Sequence, residues 1–207
     1  MKKLPLLSLA AAGILSLASV PQAMASTILA DTVIDFYNSG AGSMSGVYGG
    51  TFPGSFPVPV PLSYATDGNA TTFVSLPTGS YITLGFSTGF VFDGAGLDLF
   101  VSELGGATET ASVYISSDFG STFTFLGTAT TATVSGFDFA SIGYTGYVNA
   151  VKILGLDASG GSPGFDLAYV EGLEGSVVSS VPDSMVTLWA LGSMFIAFAV
   201  SKSRRKA

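Results

Sequence analysis

Over residues 81–173 the chain alternates apolar and small polar residues in short runs. "YITLGF" sets Ile82, Leu84 and Phe86 on one side, "LDLFV" does the same for Leu97, Leu99 and Val101, and "SVYIS" for Val113 and Ile115. "TFTFLG" pairs Phe123 with Phe125, "NAVKIL" aligns Val151 with Ile153, and "FDLAYVEGL" aligns Phe165, Leu167, Tyr169, Glu171 and Leu173. A period of two, rich in β-branched and aromatic residues and broken by Gly, Ser, Asp and Thr, predicts short strands. No stretch with a 3.6-residue period lies between the two ends of the chain. Strands this short and evenly spaced predict an all-β domain over residues 26–173, an antiparallel β-sandwich or jelly roll. Residues 37–64 break the pattern with Gly, Ser and Pro. They predict a long loop that either wraps the sandwich edge or contacts a ligand, with "PVPVP" extended and off the ladder. "GLEGSVVSSVPDS" ends the domain, and residues 174–180 read as a linker.

The two ends carry a different pattern. Lys2 and Lys3 precede an apolar stretch over residues 4–20, and Ala23, Met24 and Ala25 stand before Ser26. That order predicts a secretory signal helix, residues 1–25, cut between Ala25 and Ser26 by signal peptidase. An uncleaved anchor is the other reading, but the stretch is shorter than the roughly 20 residues a span prefers. Residues 181–207 open with Val181, Pro182, Asp183 and Ser184, run apolar over 185–200 and end in "SKSRRKA". A helix over 185–200 would measure about 24 Å at about 1.5 Å per residue, short of the roughly 30 Å hydrocarbon core. "KSRRK" reads as a cytoplasmic stop. This tail is either a working membrane anchor or a processing tag.

Charge sharpens the picture of the middle. The 207-residue chain has 14 acidic and 7 basic residues. Between signal and tail, thirteen acids face Lys152 alone, a net charge of −12. A domain this acidic repels nucleic acid and anionic membrane; bound cations would relieve it, and Ca²⁺ favours oxygen ligands. There is no Cys and no His, which removes disulfides, Ser–His and Cys–His catalysis and His-bound zinc. A carboxylate-pair glycosidase survives that exclusion. The one Trp, Trp189, lies in the tail, so the domain is expected not to be an enzyme. Tyr48, Phe52, Phe56, Tyr64 and Tyr144 stand in or near loops, where their rings either stack on sugars or cover the core.

"YATDGNATTF" places Asp67, Asn69 and Thr72 on one tight turn, which is either a plain Asx turn or a seat for a hard cation. The stretch resembles the "A-x-D-G-N-x-x-T-x-W" signature of discoidin-like, galactose-binding-like jelly rolls, which include many carbohydrate-binding modules. Ala65, Asp67, Gly68, Asn69 and Thr72 match, and Val74 stands where that family often has Trp. The resemblance implies a structural Ca²⁺ held by Asp67, Asn69 and Thr72 and closed by Glu171 on the last strand. Alternation puts Glu171 on the face of Phe165, Leu167 and Leu173 unless a bulge rotates it outward. A carboxylate on that face needs a partner. "GSYITLGF", "GAGLDLFVSE", "ASVYISSDFGSTFTFLG" and "GFDLAYVEGL" also resemble, in order, a layout of bacterial surface proteins, with Ala168 replacing a second Asp. Asp93, Asp98, Glu103 and Asp118 are accessory polar contacts or solvated loop acids.

The tail resembles PEP-CTERM sorting signals, most closely their "VPDSG" variant, with Met185 in place of Gly. That resemblance implies a Gram-negative envelope protein inserted transiently in the inner membrane. An exosortase-type membrane protease would cut it near Pro182 and release it to the cell surface or exopolysaccharide matrix. The resulting expectation is an exported, non-catalytic, Ca²⁺-stabilised module with polysaccharide as its candidate partner. The alternatives are a purely structural protein kept on the membrane by its tail, or a glycosidase-like enzyme.

Overall fold

The computed structural model describes residues 26–105, 109–130 and 134–173. The expected signal helix, the linker, and the tail with its expected helix over 185–200 lie outside the described residues. Among the described residues no helix is long and apolar enough to cross a membrane.

In chain order the strands are β1 (Thr27–Leu29), β2 (Thr32–Tyr37), β3 (Tyr48–Thr51), β4 (Val58–Pro59), β5 (Thr72–Leu76), β6 (Tyr81–Gly85) and β7 (Val91–Phe92). They continue with β8 (Leu99–Glu103), β9 (Thr110–Ser116), β10 (Thr124–Thr130), β11 (Val134–Phe137), β12 (Tyr147–Val148), β13 (Ala150–Gly155) and β14 (Phe165–Leu173). One sheet runs β11-β8-β14-β5-β3-β4, with β1 also pairing β14; the other runs β10-β9-β13-β6-β2. β7 and β12 form a separate two-stranded ribbon. Every pairing is antiparallel. The fold is the all-β antiparallel sandwich that the alternation predicts.

The period-two residues meet between the two sheets. Val74, Leu76, Leu99, Val101, Phe165, Leu167 and Val170 come from the first sheet, and Ile82, Leu84, Val113, Ile115, Leu126, Val151 and Ile153 from the second. All are buried, and their removal from water, at about 25 cal/mol per Å² of apolar area, is the main force holding the sheets together.

Three local expectations change. Residues 37–64 are not loop throughout: "YGGT" forms β3 against β5, and Val58–Pro59 pairs with β3 at the sheet edge, where proline's missing N–H is tolerated. β3 is glycine-rich because a Cβ on Gly49 would lie 2.0 Å from the Phe73 carbonyl oxygen. In β10 a register shift between Phe125 and Gly127 leaves Phe125 exposed and sends Leu126 into the core. In β14 a shift between Leu167 and Tyr169 against β8 inverts the alternation, because one extra residue exchanges the faces. Val170 therefore joins the core, and Glu171 leaves the face of Phe165 and Leu167 that alternation assigned to it.

Candidate functional site

A cavity of about 350 Å³ opens where five segments meet, walled by Phe52, Phe56 and Phe73, with Glu109, Ser162 and Asp166 as its polar lining. Phe52 and Phe56 come from the loop between β3 and β4 and are 55% and 40% exposed. Phe56 meets Phe73 of β5 edge-on, with ring centroids 5.9 Å apart, which holds it upright at the rim. Phe73 and Ser75 alternate with the core residues Val74 and Leu76, so they face away from the core, as does Asp166 between Phe165 and Leu167. The loop over residues 156–164 folds across that outer face. Tyr48 anchors it by donating its hydroxyl to the Pro163 carbonyl, and burial pushes the Tyr48 phenol up.

The polar floor of this cavity is a set of buried carboxylates. Asp166 is 5% exposed, and Glu103 and Glu109 are 3% exposed each. Asp166 Oδ1 accepts from Ser75 Oγ at 2.5 Å, and Ser75 Oγ lies 2.7 Å from Ser162 Oγ. Glu103 closes β8, where it is the cross-strand partner of Leu167, and Glu109 immediately precedes β9. Among the described residues nothing donates to Oε1 or Oε2 of Glu103, or to Oε2 of Glu109. The Glu103 and Glu109 carboxyls lie against each other, close enough to share a proton held on Glu109, with the backbones of Gly105 and Asp166 beside them. Asp157 stands nearby, but its oxygens are engaged by the Thr110 N–H and by the N–H and hydroxyl of Ser159.

Burial acts on all three acids in the same direction. Desolvation first, and then the neighbouring carboxylates, push Glu109 up to about 8 and Asp166 up to about 9. Desolvation raises Glu103 as well. Lys152, the only Lys or Arg among the described residues, is engaged elsewhere, its Nζ 3.6 Å above the Tyr81 ring. The anionic form of the cluster therefore has no described counter-charge.

The Asp67 turn is assembled as the sequence suggests, and it is closed by its own hydrogen bonds. Asp67 Oδ1 accepts from the Asn69 N–H at 2.9 Å, and Thr72 Oγ1 lies within 3.1 Å of both Asp67 oxygens. Asn69 Oδ1 accepts from the N–H and hydroxyl of Thr71. These bonds account for the shape of the turn without a cation. Glu171 is the cross-strand partner of Leu29, and Leu29 Cδ1 lies 2.7 Å from where a Cβ on Gly68 would stand. The outer face of β14 thus brings Glu171 to the side of the turn, with no hydrogen bond joining the two among the described residues.

A second acidic group, Asp93, Asp98 and Asp138, has carboxylate oxygens within 4.8 Å of one another. Asp98 is fully buried but satisfied: its oxygens accept from the Gly94 and Phe139 N–H groups at 2.7 and 2.8 Å. Asp138 caps the 3-10 turn Phe139–Ile142 by accepting from the Ala140 N–H. Of the aromatics predicted near loops, Phe52 and Phe56 line the cavity. Tyr48 is buried, while Tyr64 and Tyr144 pack against the core. Glu109, Asp166 and Phe73 were not singled out by the sequence. Their one local cue is a pair of acids in glycine-rich turns, "ELGGATE" and "GGSPGFD".

No protein-family model matches the chain, and no curated protein matches it. Among solved structures, the CBM32 of AlyQ in complex with 4,5-unsaturated mannuronic acid is similar at 15% identity and TM-score 0.41, over 70% of this chain and 97% of that one. Chitosan-binding module 1 of a chitosanase/glucanase from Paenibacillus sp. IK-5 is similar at 19% identity and TM-score 0.41, over 61% and 89%. The CBM32-4 module of CpGH89 from Clostridium perfringens, in complex with GlcNAc-α-1,4-galactose, is similar at 14% identity and TM-score 0.43, over 72% and 96%. At this identity and overlap no residue role or ligand carries over from these structures to the chain.

Proposed function

We propose that the chain is an exported, non-catalytic surface or matrix module that binds polysaccharide in the cavity between Phe52, Phe56 and Asp166. The observation that carries this reading is the pairing of two exposed rings with buried oxygen groups on one concave surface. A sugar ring offers an apolar C–H face and a rim of hydroxyls. Phe52 and Phe56 suit the face, and Asp166, Glu109 and Ser162 suit the rim; few polar groups in a mostly apolar hollow is the usual make-up of a ligand site. Export is supported by Lys2, Lys3 and the Ala25–Ser26 junction. Sorting by an exosortase-type protease is supported by Val181, Pro182, Asp183 and Ser184 ahead of the apolar stretch.

The carboxylates argue for binding over hydrolysis. A glycosidase needs one carboxyl held protonated and its partner ionised, which requires environments that split their pKa values. Here desolvation raises Glu103, Glu109 and Asp166, the Glu103–Glu109 contact lowers Glu103 only in partial opposition, and no described cation sits beside any of them to keep it ionised.

The test is a glycan array followed by titration with the best-bound polysaccharide. Phe52→Ala and Phe56→Ala should each weaken binding about tenfold or more while leaving the melting temperature within a few degrees, since buried aromatic anchors commonly carry more than about 1 kcal/mol of an interface. Binding that survives the double substitution would refute this cavity as the site. A label on the C-terminus should be missing from the mature surface form; its retention would favour the membrane-anchored alternative.

A further inference from the structure

We infer that the loop over residues 156–164 is a proton-operated clasp on the cavity: a proton shared between Glu103 and Glu109 keeps it seated, and loss of that proton to solvent releases it. This regulation rests on reading the cavity as the polysaccharide site.

Glu103 and Glu109 are each 3% exposed. A Cβ on Gly105 would stand 2.3 Å from Glu103 Oε1 and 3.3 Å from Glu109 Oε2, so the two carboxyls flank one point, reaching it from the end of β8 and the start of β9. Two carboxyls buried in contact do not both ionise; one proton between them turns repulsion into a hydrogen bond. The loop lies directly on this pair. A Cβ on Gly160 would stand 2.2 Å from Glu109 Oε1, so the loop backbone covers that carboxyl with no layer of water between. Its other seats are Ser162, whose hydroxyl lies 2.7 Å from Ser75 Oγ beside Asp166, and Pro163, whose carbonyl accepts from Tyr48. A Cβ on Gly161 would lie 3.2 Å from the Phe56 ring. The same loop therefore closes in the acids and backs one of the two rings offered to a sugar.

The titratable groups packed on this point are Glu103 of β8, Glu109 before β9, Asp166 of β14, the Tyr48 phenol of β3 and Asp157 of the loop itself. None is a base, and Lys152 stands over Tyr81 instead. Once the shared proton leaves, Glu103 and Glu109 are both anions beneath a loop that carries Asp157, and lifting the loop is what lets water reach them. Desolvation first, and then the neighbouring acids, push Glu109 up to about 8. Closure is therefore strongest below the ordinary glutamate range and is lost as pH rises through about 8.

The test reads the loop with no glycan present. Hydrogen–deuterium exchange of the full chain, corrected for the base-catalysed chemical rate, is recorded from about pH 5 to about pH 8. A group protonated only in the closed form makes opening about tenfold easier per pH unit, so protection over residues 156–164 should fall at least about tenfold across that range. At every pH the loop should exchange faster than β6 and β13. Glu109→Gln, whose amide supplies the donor permanently, should remove most of the fall. Glu103→Gln, which takes away only the neighbouring charge, should shrink it and serves if the first variant melts far below the parent at about pH 5, where the parent pair holds its proton. The clasp is refuted if the parent loop keeps its protection, if both variants lose it as the parent does, or if loop and core strands exchange together, which would make the opening global. Titration with the best-bound polysaccharide at both ends of the range separates the two readings. Weaker binding at about pH 8 supports the clasp, and equal binding over a loosened loop overturns its control of the site. If no polysaccharide on the array binds at either pH, the cavity reading fails and the exchange result still decides the clasp.

Discussion

In EDTA the protein should lose stability steadily between about pH 5 and pH 8, the reverse of ordinary acid denaturation. The cause lies in the buried carboxyls. Glu109 rises from 4.5 to about 8 and Asp166 from 3.8 to about 9, each through desolvation first and then through neighbouring acids, with Ser75 donating to Asp166 in partial opposition. The folded protein therefore keeps protons that the unfolded chain releases above about pH 4–5. Stability from such a group is fully present below the unfolded value and is lost as pH rises toward the folded one. Each group protonated only in the folded state costs about 1.4 kcal/mol per pH unit, so Glu109 alone costs about 4 kcal/mol over three units and Asp166 adds to it, against a typical total of about 5–15 kcal/mol. For a domain of this size the Glu109 share alone corresponds to a fall of about 8–16 °C in melting temperature. The window is clean. The chain has no His, and Asp118, held down to about 2 by Thr122 and Ser116, and Asp31, lowered by hydrogen bonds from Ser87 that outweigh its desolvation, act with the opposite sign below about pH 4. Circular-dichroism melts at half-unit intervals in EDTA are the assay, and Glu109→Gln should flatten the slope. A melting temperature that stays level or climbs from pH 5 to pH 8 would refute the reasoning.

Leu84→Ala removes a fully buried side chain from the middle of the core and should cost about 2–5 kcal/mol, measured by urea unfolding. Gly49→Ala forces a Cβ to 2.0 Å from the Phe73 carbonyl oxygen; the yield of folded protein should collapse, and wild-type behaviour would disprove the close approach of β3 to β5. Asp98→Asn leaves one acceptor where two N–H groups need both oxygens. It should cost about 1–3 kcal/mol by urea unfolding; an unchanged midpoint would show that the second N–H finds another acceptor.

What was legible in the sequence was what depends on neighbours along the chain. Ile82, Leu84 and Phe86, Val113 with Ile115, and Val151 with Ile153 reach the core because each run is short and unbroken. The alternation fails in β10 and in β14, where a register shift against the partner strand exchanges the faces. Such a shift is settled by the strand across the ladder, and nothing local to "FDLAYVEGL" announces that Val170 will turn inward and Glu171 outward. The cavity was hidden for the same reason: Phe56, Phe73, Glu109, Ser162 and Asp166 come from separate segments and form no motif. Alternation would have left Asp166 in solvent opposite Phe165 and Leu167; it is the loop over residues 156–164, held by Tyr48, that buries it. The Asp67 turn shows the converse. It could be recognised because Asp67, Asn69, Thr71 and Thr72 satisfy one another within six residues, and a motif that satisfies itself makes the weakest demand for a ligand. Groups gathered from distant segments carry no such local cue, so Glu103 and Glu109, buried against each other by folding, could not be read from the sequence.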